Sequence, residues 1–314
     1  MSIKKCAYCG KEAKGTREHI ISSGVLDLFP ECFLTINETK GTVYEADPVI
    51  KDVCSDCNNS KLTYIDSYAK SIVEKNFLEK YDKDKKLEFT YNYNMMQKVL
   101  LKYAYNDLRA HKQDTSFFDE EILSYLLREQ DNKSKKNVVI LGGLAVNTSP
   151  APDYLFGNQK LKWSRNPALL SNSIIMNLDY QTGEIILRED YETENIEELL
   201  LSYVFRFNSG QFILLCFDKN ILDDRLEKIK TLLRIQYPYT VLTEEGKIEL
   251  SRCTSETTYH IMGLIDVSWG QELADAGSEL RILANPEGRE WFEKMTTEWE
   301  QYEITLAQEH KRKG

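Results

Sequence analysis

The chain has 314 residues, 42% of them hydrophobic, which is enough to bury a sizeable core and excludes a disordered or fibrous chain. Its 40 Lys and Arg face 50 Asp and Glu, a formal net charge of −10 that argues against a surface coating nucleic acid over its whole extent. The excess is uneven: residues 1–140 carry 22 basic and 22 acidic side chains, so all of it lies in residues 141–314, and a polyanion site is expected in the first 140. No apolar run of about 18 residues is present, and Met1–Cys6 lacks the apolar stretch of a secretory leader. No membrane partner and a cytoplasmic location are the expectations.

Residues 1–66 read as loop-rich, with cysteines, turns and short apolar runs. Residues 62–80 read as a helix, because Ile65, Tyr68, Ala69, Ile72, Val73 and Phe77 recur at helical spacing. The charged run 81–86 reads as an exposed linker. Two further helices are expected at 94–112 and 118–129, the second with acids in its first turn. From 137 the pattern turns to strands. VVILGGLAV (138–146) is apolar throughout, 174–178 with 184–188 reads as a hairpin, and 201–207 with 211–217 is a clearer hairpin across Asn208-Ser209-Gly210. A helix at 222–235, strands at 239–242, 247–252 and 259–267, and a C-terminal helix at 286–311 complete the reading. Alternation places Tyr203, Phe205 and Phe207 on one core-facing side, with Arg206 on the other. The fold class is α+β: a small zinc-stapled domain followed by a larger domain of antiparallel strands and helices.

The seven cysteines are odd in number, sit in a long chain and lack an export signal, so they do not form a disulfide framework. Cys32, Cys216 and Cys253 stand alone and read as small hydrophobes. Cys6-x2-Cys9 and Cys54-x2-Cys57 are two knuckles separated by 44 residues, the first followed by the turn residue Gly10. Each knuckle presents two thiolates to one ion, and two knuckles complete a tetrahedral structural Zn2+ site with no open position. In a loop-rich segment such a site supplies folding energy that a small core cannot.

Within and after the knuckles the chain reads Arg17-Glu18-His19-Ile20-Ile21, then Cys54-x2-Cys57-Asn58-Asn59-Ser60-Lys61, then Ile65-Asp66. This combination resembles the HNH endonucleases, the ββα-metal nucleases, and is closest to zinc-stapled members with an EHII first motif and a CxxCN second motif. The resemblance covers residues 6 to 66. It implies metal-dependent hydrolysis of phosphodiester bonds, in DNA foremost and with RNA as the alternative. It makes His19, the one histidine in the first 110 residues, the general base at the end of the first hairpin strand. Histidine suits that role because its proton affinity lies near neutrality. Glu18 and Asn58 would ligate a hard catalytic cation, Mg2+ or Mn2+, and Lys61 would contact phosphate. Asn59 is the second choice for the helical ligand, and Asp66 a helix-bracing residue. The family's middle Asn usually stands nine residues before the helical ligand, where this chain has Val49; Asp47 and Asn37 are the substitutes at hand.

The expected organisation is a nuclease domain at 1–70, a helical connector at 71–136 and an α+β domain at 137–314 that senses, docks or oligomerises. Such nucleases often act as effectors in bacterial restriction or anti-phage defence, and the acidic C-terminal region would then meet a second copy or a defence-complex partner. The alternative is a zinc-knuckle subunit that holds nucleic acid or protein without cutting. His111, beside Arg109 and Lys112, is expected to be exposed; His260 and His310 have no partner pattern. Gly142-Gly143 has no phosphate-loop context.

Overall fold

A computed structural model describes residues 3–29, 35–37, 42–44, 48–79, 81–82, 84–130, 133–145, 161–165, 177–179, 184–186, 196–236 and 239–253. The expected strand at 259–267, the helix at 286–311, Cys32, Asp47, His260 and His310 lie outside these residues. The architecture is mixed α+β with antiparallel sheets, and a small cysteine-rich region lies near the N-terminus. Among the described residues no helix is long and apolar enough to cross a membrane.

The N-terminal lobe is a three-stranded sheet in the order β1-β2-β5, from β1 (Ile3–Lys5), β2 (Glu12–His19) and β5 (Val49–Cys54). The short helix α1 (Ser23–Leu26) and the pair β3 (Thr35–Asn37) and β4 (Thr42–Tyr44) lie between β2 and β5 in the chain. A π-helical turn, Cys57–Lys61, leads from β5 into α2 (Thr63–Asn76). The apolar spacing read from sequence is the buried face of α2: Ile65, Ala69, Ile72 and Val73 enter the core.

Next come β6 (Leu87–Thr90), α3 (Tyr93–Ala110) and α4 (Glu120–Leu127). Asn92 caps α3 by accepting from the Met95 amide at 3.0 Å, and Asp119 caps α4 through Ile122 at 3.0 Å. A five-stranded sheet runs β13-β7-β12-β11-β8, from β7 (Val138–Leu144), β8 (Leu161–Arg165), β11 (Leu199–Phe207), β12 (Gly210–Phe217) and β13 (Thr240–Val241). The pair β9 (Asn177–Asp179) and β10 (Glu184–Ile186) stands apart from it, and α5 (Asp223–Gln236) precedes β13. The last described strand, β14 (Lys247–Leu250), pairs with β6.

The central strands β7 and β12 are almost wholly apolar because both faces are covered. Ile140, Phe205, Phe207, Phe212 and Leu214 pack towards α2 and α3, whereas Leu141, Val204, Ile213 and Leu215 pack under Leu226, Ile229 and Leu233 of α5. Cys216 and Cys253 are buried as small hydrophobes. Gly142 and Gly143 lie inside β7, where a Cβ would strike Leu242 and Cys253, so they serve close packing. Arg206 is buried, and its Nε donates to the Asn208 carbonyl at 3.2 Å.

At the β11–β12 turn Asn208 takes φ +51, which Asn tolerates better than most residues. Its amide donates to the carbonyls of Phe77 and Leu78 at 2.8 and 2.9 Å, satisfying groups left open where α2 ends. The turn thereby ties the large sheet to α2, and the core runs from Cys6 to Leu250 without a break.

Helix α3 is buried from both sides. Towards the sheet, Asp107 accepts from Trp163 Nε1 at 2.9 Å and from the Tyr203 hydroxyl at 2.8 Å, with Arg165 Nε at 3.7 Å. His111 is exposed, as expected, and it also closes α3 with its Nδ1 3.2 Å from Asp107 Oδ1. Burial works against the Asp107 carboxylate, but His111, Trp163 and Tyr203 outweigh it and hold its pKa below the usual range. The same hydrogen bond raises the His111 pKa. The stability this pair adds is therefore full below about pH 6.5, the unfolded histidine value, and is lost as pH rises through the raised folded value. His111→Ala is expected to destabilise most under mildly acidic conditions. Because His111 is 36% exposed, screening holds the effect to about 1 kcal/mol. Urea melts at about pH 5.5 and pH 8.5 check this; an equal loss at both would contradict it.

Candidate metal centre and the hairpin it holds

The four sulfurs of Cys6, Cys9, Cys54 and Cys57 lie within 4.8 Å of one another. Tetrahedral Zn–S bonds of about 2.3 Å separate sulfurs by roughly 3.8 Å, and Cys9 and Cys54 stand 3.8 Å apart. The spacing suits a metal and is far beyond the roughly 2 Å of a disulfide. Gly10, at φ +71, closes the first knuckle by donating its amide to the Cys6 carbonyl at 2.9 Å. The Ala7 amide donates to Asp52 at 2.9 Å and so hangs the knuckle on β5. Burial pushes the Cys6 thiol up, but amide donors from Cys54, Cys9 and Tyr8 outweigh it and bring its pKa down to about 7. Burial raises Cys54 and Cys57. A cation among these sulfurs favours thiolates, so the donor set and its spacing fit Zn2+.

β2 and β5 form an antiparallel pair with an irregular step: Thr16 faces Val53, but Glu18 already faces Ile50 and His19 faces Val49. The step sets the Arg17 carbonyl out of the ladder, and Asn58 satisfies it. Asn58 Nδ2 donates to that carbonyl at 2.8 Å and to Thr16 Oγ1 at 2.9 Å, and Thr16 Oγ1 donates on to the Val53 carbonyl at 2.8 Å. The Asn58 carbonyl oxygen is left for other use. Asn59 is exposed and donates to Ser55 Oγ at 3.0 Å. Lys61 is turned to Asp56 at 2.7 Å.

Glu18 and His19 end β2 beside α3. The Glu18 carboxylate is buried, with Oε1 2.8 Å from Lys102 Nζ and accepting from Asn106 Nδ2 at 3.2 Å. Lys102 also pairs with Asp66 Oδ1. Burial raises the Asp66 pKa, while the charge and hydrogen bond of Lys102 oppose the rise. His19 is half-buried, and its carbonyl accepts from Asn106 Nδ2 at 2.8 Å. Val49 is half-buried opposite His19, and Asn37 ends β3.

Two readings of the sequence are thereby placed. The cysteines converge. Glu18 and Asp66 gather around Lys102, His19 follows Glu18 at the end of β2 with Asn58 bracing the same strand, and Lys61 faces Asp56. Among the described residues the cysteines are the one group of three or more His, Cys, Asp or Glu side chains arranged to hold a metal; the oxygens near His19 form no ready cage. Sequence reasoning missed Lys102, Asn106 and Arg109. Their signal is spacing: Lys98, Lys102 and Asn106 recur every fourth residue, a stripe that reads as a solvent face. Here it is buried against α2 and the hairpin.

No protein-family model, no curated protein and no solved structure matches this chain.

Proposed function

We propose that the protein is a metal-dependent endonuclease of the HNH type, hydrolysing phosphodiester bonds of DNA foremost. The observation that carries the reading is a hairpin-then-helix unit pinned by the four-cysteine cluster, with His19 ending one strand and Asn58 opening the helical turn. In this reading His19 takes a proton from the attacking water, the water oxygen bonds to phosphorus, and the bond to the leaving oxygen breaks. Glu18 and Asn58 would supply oxygens for a hydrated Mg2+ or Mn2+, ions commonly held through one or two carboxylates and water. Such a cation would neutralise charge developing on the phosphate. Lys102 holds one Glu18 oxygen and so fixes the other. Lys4, Lys5, Lys11, Lys14, Arg17 and Lys51 are exposed on this lobe, which suits a phosphate backbone despite the acidic chain. A role as a defence effector, partnered through the acidic C-terminal region, follows from the resemblance alone.

One observation favours a second reading, a zinc-knuckle module that binds without cutting: Glu18 is tied to Lys102 and Asn106 rather than joined to a set of oxygen ligands. Incubation of the zinc-loaded protein with plasmid DNA or RNA, with Mg2+, Mn2+ or neither, separates the two. The nuclease reading expects cleavage that depends on the added cation. Retention of nucleic acid without cleavage under every condition would favour the binding module.

A further inference from the structure

We propose that Asn106, on α3 and outside the sequence motif, is the positioning residue that sets His19 for proton transfer and ties it to the zinc knuckle; this rests on the nuclease reading. Asn106 is wholly buried, and its side chain uses all four of its hydrogen-bonding capacities. Nδ2 donates to the His19 carbonyl at 2.8 Å and to Glu18 Oε1 at 3.2 Å. Oδ1 accepts from the Tyr8 hydroxyl at 2.7 Å and from Arg109 Nη2. The chemistry of the partners fixes the orientation of the amide, because a carbonyl accepts and a guanidinium donates.

The contacts join three parts of the lobe. Tyr8 lies between Cys6 and Cys9, so the first knuckle bears on Asn106 directly. Arg109 lies over the Tyr8 and Tyr105 rings and pairs with Asp52 of β5. The Tyr105 hydroxyl donates to the Ala7 carbonyl at 2.9 Å. His19 is the last residue of β2, and the Ile20 amide after it still donates across to the Pro48 carbonyl at 2.9 Å. The strand end is thereby held on one side by β5, and Asn106 fixes the His19 carbonyl from α3. A base must sit within hydrogen-bond reach of the proton it takes, and a misplacement of about 1 Å costs on the order of 10²-fold in rate. Opposite His19, β5 presents Val49, whose side chain can make no such bond.

The test uses the full chain carrying zinc, with Asn106→Ala and Asn106→Asp. The second keeps the side-chain size and removes the donor. Leu108→Ala, a core truncation on the same helix, reports what lost stability alone does. Two readouts are taken: the His19 ring resonance in the NMR spectrum, identified by its absence in His19→Ala, and kcat against KM for plasmid cleavage. The expected result is retained zinc, a shifted and broadened His19 resonance, and a fall in kcat on the order of 10²-fold with KM little changed. Should Asn106→Ala lose zinc or fail to fold, Asn106→Asp decides. An unchanged His19 resonance in a zinc-loaded variant, or the same change in Leu108→Ala, would overturn the proposal. If the wild-type protein cleaves nothing, the nuclease reading fails, and the His19 resonance still decides whether Asn106 positions this side chain.

Discussion

Cys54→Ser is expected to release the zinc and lower the melting temperature by at least about 10 °C, corresponding to a loss of several kcal/mol. The outer strands bury little of their own. β1 is exposed throughout, and along β2 Glu18 is the one buried side chain. Cys6, Cys54 and Cys57 are themselves core residues, packed with Ile21, Val53 and Leu62. Without a cation, burial leaves Cys54 and Cys57 as thiols, crowded around a Cys6 sulfur that ionises near pH 7. The arrangement then loses the attraction that organises it. Cys216→Ser, in the core but far along the chain, should keep the zinc. Zinc stoichiometry measured beside a thermal melt checks both, and zinc loss without a fall in melting temperature would contradict a structural role.

Lys102→Met is expected to be as damaging through a different route. Lys102 is fully buried, and the side chains of Glu18 and Asp66 are 3% and 27% exposed. Placing this charge cluster inside the protein is expensive, and mutual attraction offsets the expense while all members remain. Removing the cation strands two carboxylates, one deeply buried, at a cost of about 3–5 kcal/mol. That is a large part of the roughly 5–15 kcal/mol that holds a domain together. Neutralising all three positions, Lys102→Met with Glu18→Gln and Asp66→Asn, should recover most of the loss, since no uncompensated charge remains. Denaturant midpoints of the single and triple variants measure this. A triple variant no more stable than Lys102→Met would show that Lys102 acts through packing rather than charge.

The sequence carried the local signals well and the long-range ones poorly. The cysteine knuckles were legible because metal ligation demands fixed spacing, and β7, β11 and β12 of the five-stranded sheet because they are rich in apolar residues. α2, α3 and α5 were legible from helical periodicity. β6 and β8 were not: Leu87–Thr90 follows a charged run and pairs with β14 about 160 residues later, and β8 carries Lys162 and Arg165 on an edge of the sheet. In the candidate site, Glu18, His19 and Asn58 were legible as a motif. The surroundings that decide what they can do were not, because Lys102 and Asn106 reach them from α3, 84 and 87 positions after Glu18 and His19. A lone sequence reads such a polar stripe as solvated. His111 is exposed as read, but its pairing was not legible: its partner Asp107 is one turn back, and the sheet that buries that partner comes much later in the chain.

We propose that His19, held on a zinc-pinned hairpin, activates water to hydrolyse phosphodiesters. The most direct test is plasmid cleavage by the wild-type protein and by His19→Ala, both carrying zinc, with Mg2+ or Mn2+ added. Nicking or linearisation by the wild type is expected, with a rate lower by on the order of 10²–10⁴-fold in His19→Ala, the usual contribution of a general base. Equal rates in the two proteins would contradict it.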